Sequence, residues 1–302
     1  MKYFIITVDT EGDNLWSYQS GDIITTNNTK FIPRFQELCE KYDFPPVYLT
    51  NYEMLMDDSL VKYLRQKSEK GKCEVGLHLH AWNNPPCYEL QRKYKGNPYL
   101  VEYPETIMRE KFDTLYKLFV DRIGCAPVSH RSGRWAMNET YFDILNDYNV
   151  LVDCSITPGI NWSASKGCSI LGPDYSLSSR IPHHFGNVYE VPVTIYNVRH
   201  ASTGSIKHRI RTMFCGDNIW LRPANYTLQL MKRALFKNYN DDSLDYIQFM
   251  IHSSELMPAG SPYFLYEEKI EDLYFTMNSL FTYAYDLGYK GITLAEYYNR
   301  HH

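Results

Sequence analysis

The sequence predicts an α/β protein in which parallel strands alternate with helices and close into a barrel. Three observations carry this. Short apolar runs rich in β-branched and aromatic residues recur along the chain, segments of helical period stand between them, and the alternation persists almost from end to end. Strand and helix taking turns indicate a parallel sheet, and about seven or eight such units suffice to close a barrel. An open doubly wound sheet is the alternative.

The elements follow in order. Residues 3–9 (YFIITVD) read as the first strand, and 30–42 as a helix. A strand at 46–51 precedes a helix at 59–69 that Gly71 stops. Residues 73–80 form the third strand, and 105–123 a long helix ended by Gly124. Next come a strand at 127–131, a helix at 139–148 after an Asn138 cap, and a strand at 150–155. Strands at 188–195, 246–252 and 291–294, with helices at 226–237 and 267–287, complete the set. Residues 83–103 and 157–223 break the rhythm. Each follows a strand, so in a barrel both overhang the end where the strands' C-termini lie. There is no internal repeat or linker, and residues 1–302 read as one domain.

Composition excludes several classes. A net charge of −4, from 31 basic and 35 acidic residues, gives no electrostatic case for nucleic acid. No segment approaches the ~18 uninterrupted apolar residues of a membrane span, and the opening MKYFIITVDT reads as a strand rather than a signal peptide. Seven scattered cysteines without a Cys-x-x-Cys pair read as reduced thiols in a cytoplasmic protein. The 27 tyrosines suit contact with sugar rings, although tyrosines also fill ordinary cores.

The chemistry gathers at strand ends. The first strand runs into DTEGD, with Asp9, Glu11 and Asp13 at alternate positions; the third runs into HLHAW, with His78 and His80 two apart. In extended backbone such pairs share a face. Two carboxylates and two imidazoles arranged so make a mixed N/O site for Zn²⁺ or a similar divalent ion. The segment SHRSGRW places Arg131 and Arg134 after the fourth strand, where Arg131 can hold Asp9 or a substrate group bidentately. Asp153 ends the fifth strand, and His252 is delivered into the polar loop SSE as an acid or base.

This ordered set resembles the five motifs of the carbohydrate esterase family 4 polysaccharide deacetylases, the NodB-homology domain. It is most similar to the divergent branch linked to O-antigen and other surface-polysaccharide biosynthesis, as in lipopolysaccharide. The similarity runs from Asp9 to His252. It implies an irregular (β/α) barrel of about seven strands, with a long insertion near the C-terminal face of the strands, and a hydrolase that uses a divalent metal to deacetylate sugars. By resemblance Asp9 is the base, Glu11 and His78 are metal ligands, and Arg131 orients the base. Asp153 is the acid that pairs with His252. Three departures bear on the site: the arginine motif around Arg131 lacks its usual proline, and two others touch the base and the ligands. The adjacent Asp-Asp of the family is spread into Asp-Thr-Glu-Gly-Asp, so Glu11 and Asp13 form an alternative base and ligand pair. The family's second histidine position is Trp82, which leaves His80 as the third ligand.

The expected reaction is removal of an N- or O-acetyl group from a saccharide, with zinc as the metal and cobalt, nickel or manganese as alternatives. Trp82, Arg134 and Trp135 are the substrate-binding candidates. Hydrolysis of another amide or imide, and saccharide binding without turnover, are the rival readings. The basic run 199–211 suggests contact with a nucleotide or lipid diphosphate carrying the sugar, against the plainer reading of a solvated face.

Overall fold

The computed structural model describes the chain apart from residues 20 and 202–204 and the side chain of His208. The first half reads β1 (Tyr3–Thr10), α1 (Ile32–Lys41), β2 (Pro46–Thr50), α2 (Tyr52–Leu55), α3 (Asp58–Glu69), β3 (Glu74–Leu79), α4 (Glu105–Ile123), β4 (Ser129–Ser132), α5 (Glu139–Asp147) and β5 (Val152–Asp153). Two short hairpins follow: β6 (His183–Phe185) with β7 (Val188–Glu190), and β8 (Tyr196–Val198) with β9 (Asp217–Ile219), the second enclosing α6 (Ile206–Phe214). The chain ends with α7 (Leu228–Tyr239), β10 (Tyr246–His252), α8 (Glu267–Asp286), β11 (Lys290–Gly291) and α9 (Leu294–His301).

The expected fold class holds. Parallel strands stand in the order β10-β1-β2-β3-β4-β5-β7, with β6 added antiparallel outside β7 and β11 on the start of β1. This order has no point of reversal, unlike a doubly wound sheet. The sheet curls, but its ladder stays open between β7 and β10. Pro192, just past β7, has no N–H to give a ladder. Side chains bridge the gap instead: Gln248 Nε2 donates to Val191 O (2.8 Å), Gln248 N–H to Thr194 Oγ1 (3.2 Å), and Tyr246 Oη to Pro192 O (2.6 Å).

Several expected strands are shorter. The one at 188–195 keeps only Val188–Glu190, and the one at 150–155 only Val152–Asp153. The last, at 291–294, gives way to α9. There Thr293 and Glu296 form a reciprocal capping box that starts a helix where a strand was expected.

Alternation along each strand sorts residues between two cores. Ile5, Val47, Leu49, Val152, Cys154 and Tyr246 pack together inside the curl, with α9 side chains Leu294 and Tyr297 closing its lower end. Phe4, Ile6 and Val8 point outward into the larger core beneath the helices. The inward positions of β1 are therefore 5, 7 and 9, so its apolar filling gives way to Thr7 and Asp9 toward the C-terminal end.

Candidate metal centre

β1 and β10 are in register with Asp9 beside His252, and β3 and β4 with His78 beside Arg131. Four polar side chains thus leave neighbouring strands at their C-terminal ends. Glu11 joins them from the loop after β1, and its backbone is fixed by buried residues. Its N–H donates to Ser253 Oγ (3.0 Å), and its carbonyl accepts from Asn28 Nδ2 (2.7 Å).

Glu11 Oε2 lies 3.3 Å from His80 Nε2 and 3.7 Å from His78 Nε2, and all three side chains are buried. One donor atom of each falls within 4.8 Å of the others, the one such cluster among the described residues. Two donors each about 2.1 Å from a tetrahedral zinc stand about 3.4 Å apart, so the spacing fits one ion. The chemistry fits as well. His78 Nδ1–H donates to Arg131 O (2.9 Å), which turns the Nε2 lone pair toward Glu11. His80 stacks on Trp82 with ring centroids 4.2 Å apart. Gly133 makes room for it: a Cβ there would come within 2.4 Å of His80 Cδ2.

Asp9 sits beside this cluster. Arg131, wholly buried, donates from Nη1 to Asp9 Oδ1 (2.5 Å), from Nη2 to Thr7 Oγ1 (2.9 Å) and from Nε to Cys154 O (3.2 Å). Burial pushes a carboxyl upward, but Arg131, His78 and His252 outweigh it and hold Asp9 well below the usual carboxylate range. Burial opposes charge on His78 too, yet Asp9 and Glu11 raise it; His80, buried beside a second imidazole, is pushed well down.

His252 Nε2 faces Asp9 Oδ2 at 3.7 Å. Its Nδ1 lies 3.1 Å from Arg222 Nη2 and 3.4 Å from Glu255 Oε2. Arginine only donates, so a neutral ring accepts from Arg222 at Nδ1 and carries its proton on Nε2, while a charged ring gives Nδ1–H to Glu255. Glu255 is itself held low: burial raises it, and Arg222 and His252 more than compensate.

Above these groups opens a cavity of about 400 Å³, lined by Asp9, Glu11, His78, His80 and His252 together with Trp16, Trp82, Arg134, Trp135 and Trp162. Trp16 covers His252 edge-on at 5.1 Å and donates from Nε1 to Ser254 Oγ (3.0 Å). Arg134 and Trp135 both have positive φ, 55° and 68°, a costly conformation for two successive side-chain-bearing residues. The Arg134 fork is engaged with protein: it donates to Asn97 O, to Ser165 Oγ (2.9 Å) and to Lys166 O (2.8 Å), tying the two irregular stretches together.

Two expectations are corrected. Asp13 is not in the cluster; it accepts from Thr25 Oγ1 and Asn28 N–H and braces the loop. Asp153 does not pair with His252. Val152 and Cys154 face inward, so Asp153 faces outward, where it takes the Nδ1–H of His130 (2.7 Å), whose Nε2 accepts from Tyr141 Oη (2.8 Å). The carboxylate at His252 Nδ1 is Glu255, on the same loop. Arg222, Asn28 and Trp16 were missed because nothing in their local sequence distinguishes them from turn and loop residues. Glu255 was legible as the third residue after His252, in capping-box position.

No protein-family model matches the sequence, and no curated protein matches it. Solved structures share the fold. A Mycobacterium smegmatis protein assigned as a polysaccharide deacetylase is 14% identical over 99% of this chain and 90% of that one, with a TM-score of 0.57. A glycoside hydrolase family 57 branching enzyme from Thermococcus kodakaraensis is 11% identical over 100% and 71%, also at 0.57. A 4-α-glucanotransferase from Thermococcus litoralis is 10% identical over 99% and 38%, at 0.53. The chain has the polysaccharide-deacetylase fold.

Proposed function

We propose that this chain is a metal-dependent deacetylase acting on an N- or O-acetylated sugar of a surface polysaccharide or its precursor. The observation that carries the reading is the convergence of Glu11, His78 and His80 beside an arginine-held Asp9 in an aromatic-walled cavity. Glu11 and the two Nε2 atoms would hold the ion, zinc first and cobalt, nickel or manganese as alternatives. When bound, a divalent ion polarises an acyl carbonyl and lowers the pKa of a water toward neutrality.

The chain's own residues do the rest. Asp9 has Oδ1 committed to Arg131, which leaves Oδ2 to accept the proton of the attacking water. Arg131 keeps that carboxylate ionised and aimed. Hydrolysis forms a carbon–oxygen bond from water to the acetyl carbon and breaks the bond to the sugar nitrogen or oxygen, which leaves poorly as an anion and needs a proton. A doubly protonated His252 supplies it from Nε2, and Glu255 accepts the Nδ1–H that the ring keeps afterwards. Trp82, Trp135 and Trp162 line the cavity and give it aromatic walls that suit sugar rings. Seven free thiols accord with a cytoplasmic setting.

Glycosyl transfer, the chemistry of two proteins that share the fold, is the weaker reading. Both carboxylates lining the cavity, Asp9 and Glu11, come from one strand end, whereas glycosidic cleavage uses a pair flanking the bond. The test is acetate release from N-acetylhexosamine and O-acetylated saccharides by the metal-loaded protein, before and after chelation. Release that survives chelation, or none from any acetylated saccharide, rejects the proposal.

A further inference from the structure

Helix α6 is mounted with its apolar side outward. On a helical wheel Ile206, Ile210, Met213 and Phe214 share one face, and they are 75%, 54%, 56% and 70% exposed. Among the described side chains of α6 the one buried against the protein is polar: Thr212 is fully buried, donates from Oγ1 to Arg209 O, and accepts the N–H of His200 at its carbonyl. An amphipathic helix serving the core would lie the other way round.

Charge surrounds this face. Lys207 and Arg209 flank the apolar arc, one on each side, and have no acidic partner among the described residues; the helix carries no acid at all. The cationic surface continues onto the neighbouring strand and helix. Arg199 O accepts from Arg233, Lys237 donates to Asn197 O, and these cations surround Phe236, which is itself 52% exposed. In a chain of net charge −4 this is a local concentration of positive charge beside exposed apolar side chains.

We infer that α6 is a docking surface for an anionic lipid bilayer, with Ile206, Ile210, Met213 and Phe214 entering the interface and Lys207, Arg209 and Arg199 meeting headgroup phosphates. An apolar arc bordered by cations is what a helix lying in the membrane interface requires. The position suits a purpose. The chain leaves α6 for β9 and then supplies Arg222 to the cavity, so the docking element and the site belong to one insertion. The surface also overlaps the basic run read in the sequence, part of which, 202–204 and the His208 side chain, lies outside the described residues.

The test uses the full chain and no turnover, so its outcome is separate from that of the proposed reaction. Cosedimentation with phosphatidylcholine vesicles is compared with and without phosphatidylglycerol, at low and high salt. Binding to the anionic vesicles is expected, weakening with salt. Ile210→Ser/Phe214→Ser should abolish it without changing the circular dichroism spectrum. Lys207→Gln/Arg209→Gln, which leaves the apolar face intact, should weaken it roughly fivefold per cation. Three results overturn the inference: no binding to anionic vesicles, equal binding by both variants and the unchanged chain, or a dimer without vesicle affinity that Ile210→Ser/Phe214→Ser converts to a monomer.

Discussion

Arg131 and Asp9, 122 residues apart, meet side chain to side chain at 2.5 Å with the guanidinium wholly buried. A buried pair of this kind contributes little against an apolar substitute, yet breaking it leaves a charge with no partner, at a cost of about 3–5 kcal/mol. Arg131→Met should lower stability by that order in urea denaturation. The sign of the pH dependence follows from Asp9's lowered pKa. The stability it contributes is complete above the ordinary aspartate value of ~3.9 and is lost as pH falls toward the folded-state value. The acid limb of the stability curve should therefore flatten in Arg131→Met.

The three-donor cluster predicts a graded loss of metal. Glu11→Ala, His78→Ala and His80→Ala should each weaken zinc or cobalt binding by at least about tenfold, read by calorimetric titration. Asp13→Asn should leave affinity unchanged and lower only the melting temperature. Undiminished metal content in His80→Ala would remove that residue from the coordination shell.

Gly133 reaches the same site by a different route. A Cβ 2.4 Å from His80 Cδ2 cannot be accommodated without moving the imidazole or the strand. Gly133→Ala should lower metal affinity with less effect on global stability than a core truncation. The two are separated by titration and thermal melting on one sample.

His252 and Glu255 should divide by kinetic signature. His252→Gln removes the proton donor and should lower kcat by about 10²–10⁴ with KM little changed. Glu255→Gln leaves the proton donor in place but weakens the acceptor that orients its ring, so kcat should fall by a smaller factor than in His252→Gln. A Glu255→Gln enzyme with unaltered kcat refutes the pairing.

Glu190, behind the site, is raised well above the usual carboxyl range by burial and then by Asp153 beside it. A raised acid pKa means the folded state holds a proton that the unfolded chain releases, so stability falls as pH climbs from ~4.3 through the folded value. Glu190→Gln keeps an acceptor for the Ile156 N–H, which now reaches Glu190 Oε1 at 3.0 Å. The variant should be as stable as the parent at low pH and more stable at neutral pH and above.

Much of this was legible in the linear chain. Residues two apart at a strand end share a face, so Asp9 with Glu11 and His78 with His80 could be paired from spacing alone, and the alternation of strand and helix gave the fold class. Strand parity, applied to VLVDCS, could have turned Asp153 outward, since Val152 and Cys154 are the apolar residues that fill the interior. The Thr293 capping box was equally readable and marks a helix.

Which strands carry the reactive groups is readable along the chain, because hydrophobic period and local polarity are properties of neighbouring residues. That Glu11 rather than Asp13 joins the imidazoles, that Glu255 rather than Asp153 stands at His252 Nδ1, and that Arg222 arrives from the insertion follow from the folded arrangement alone. Those choices depend on loop paths and on pairings across more than 200 residues, such as Glu11 with Ser253. No local periodicity encodes such contacts. They are selected by the requirement that each buried charge and backbone group find a partner once the sheet has curled.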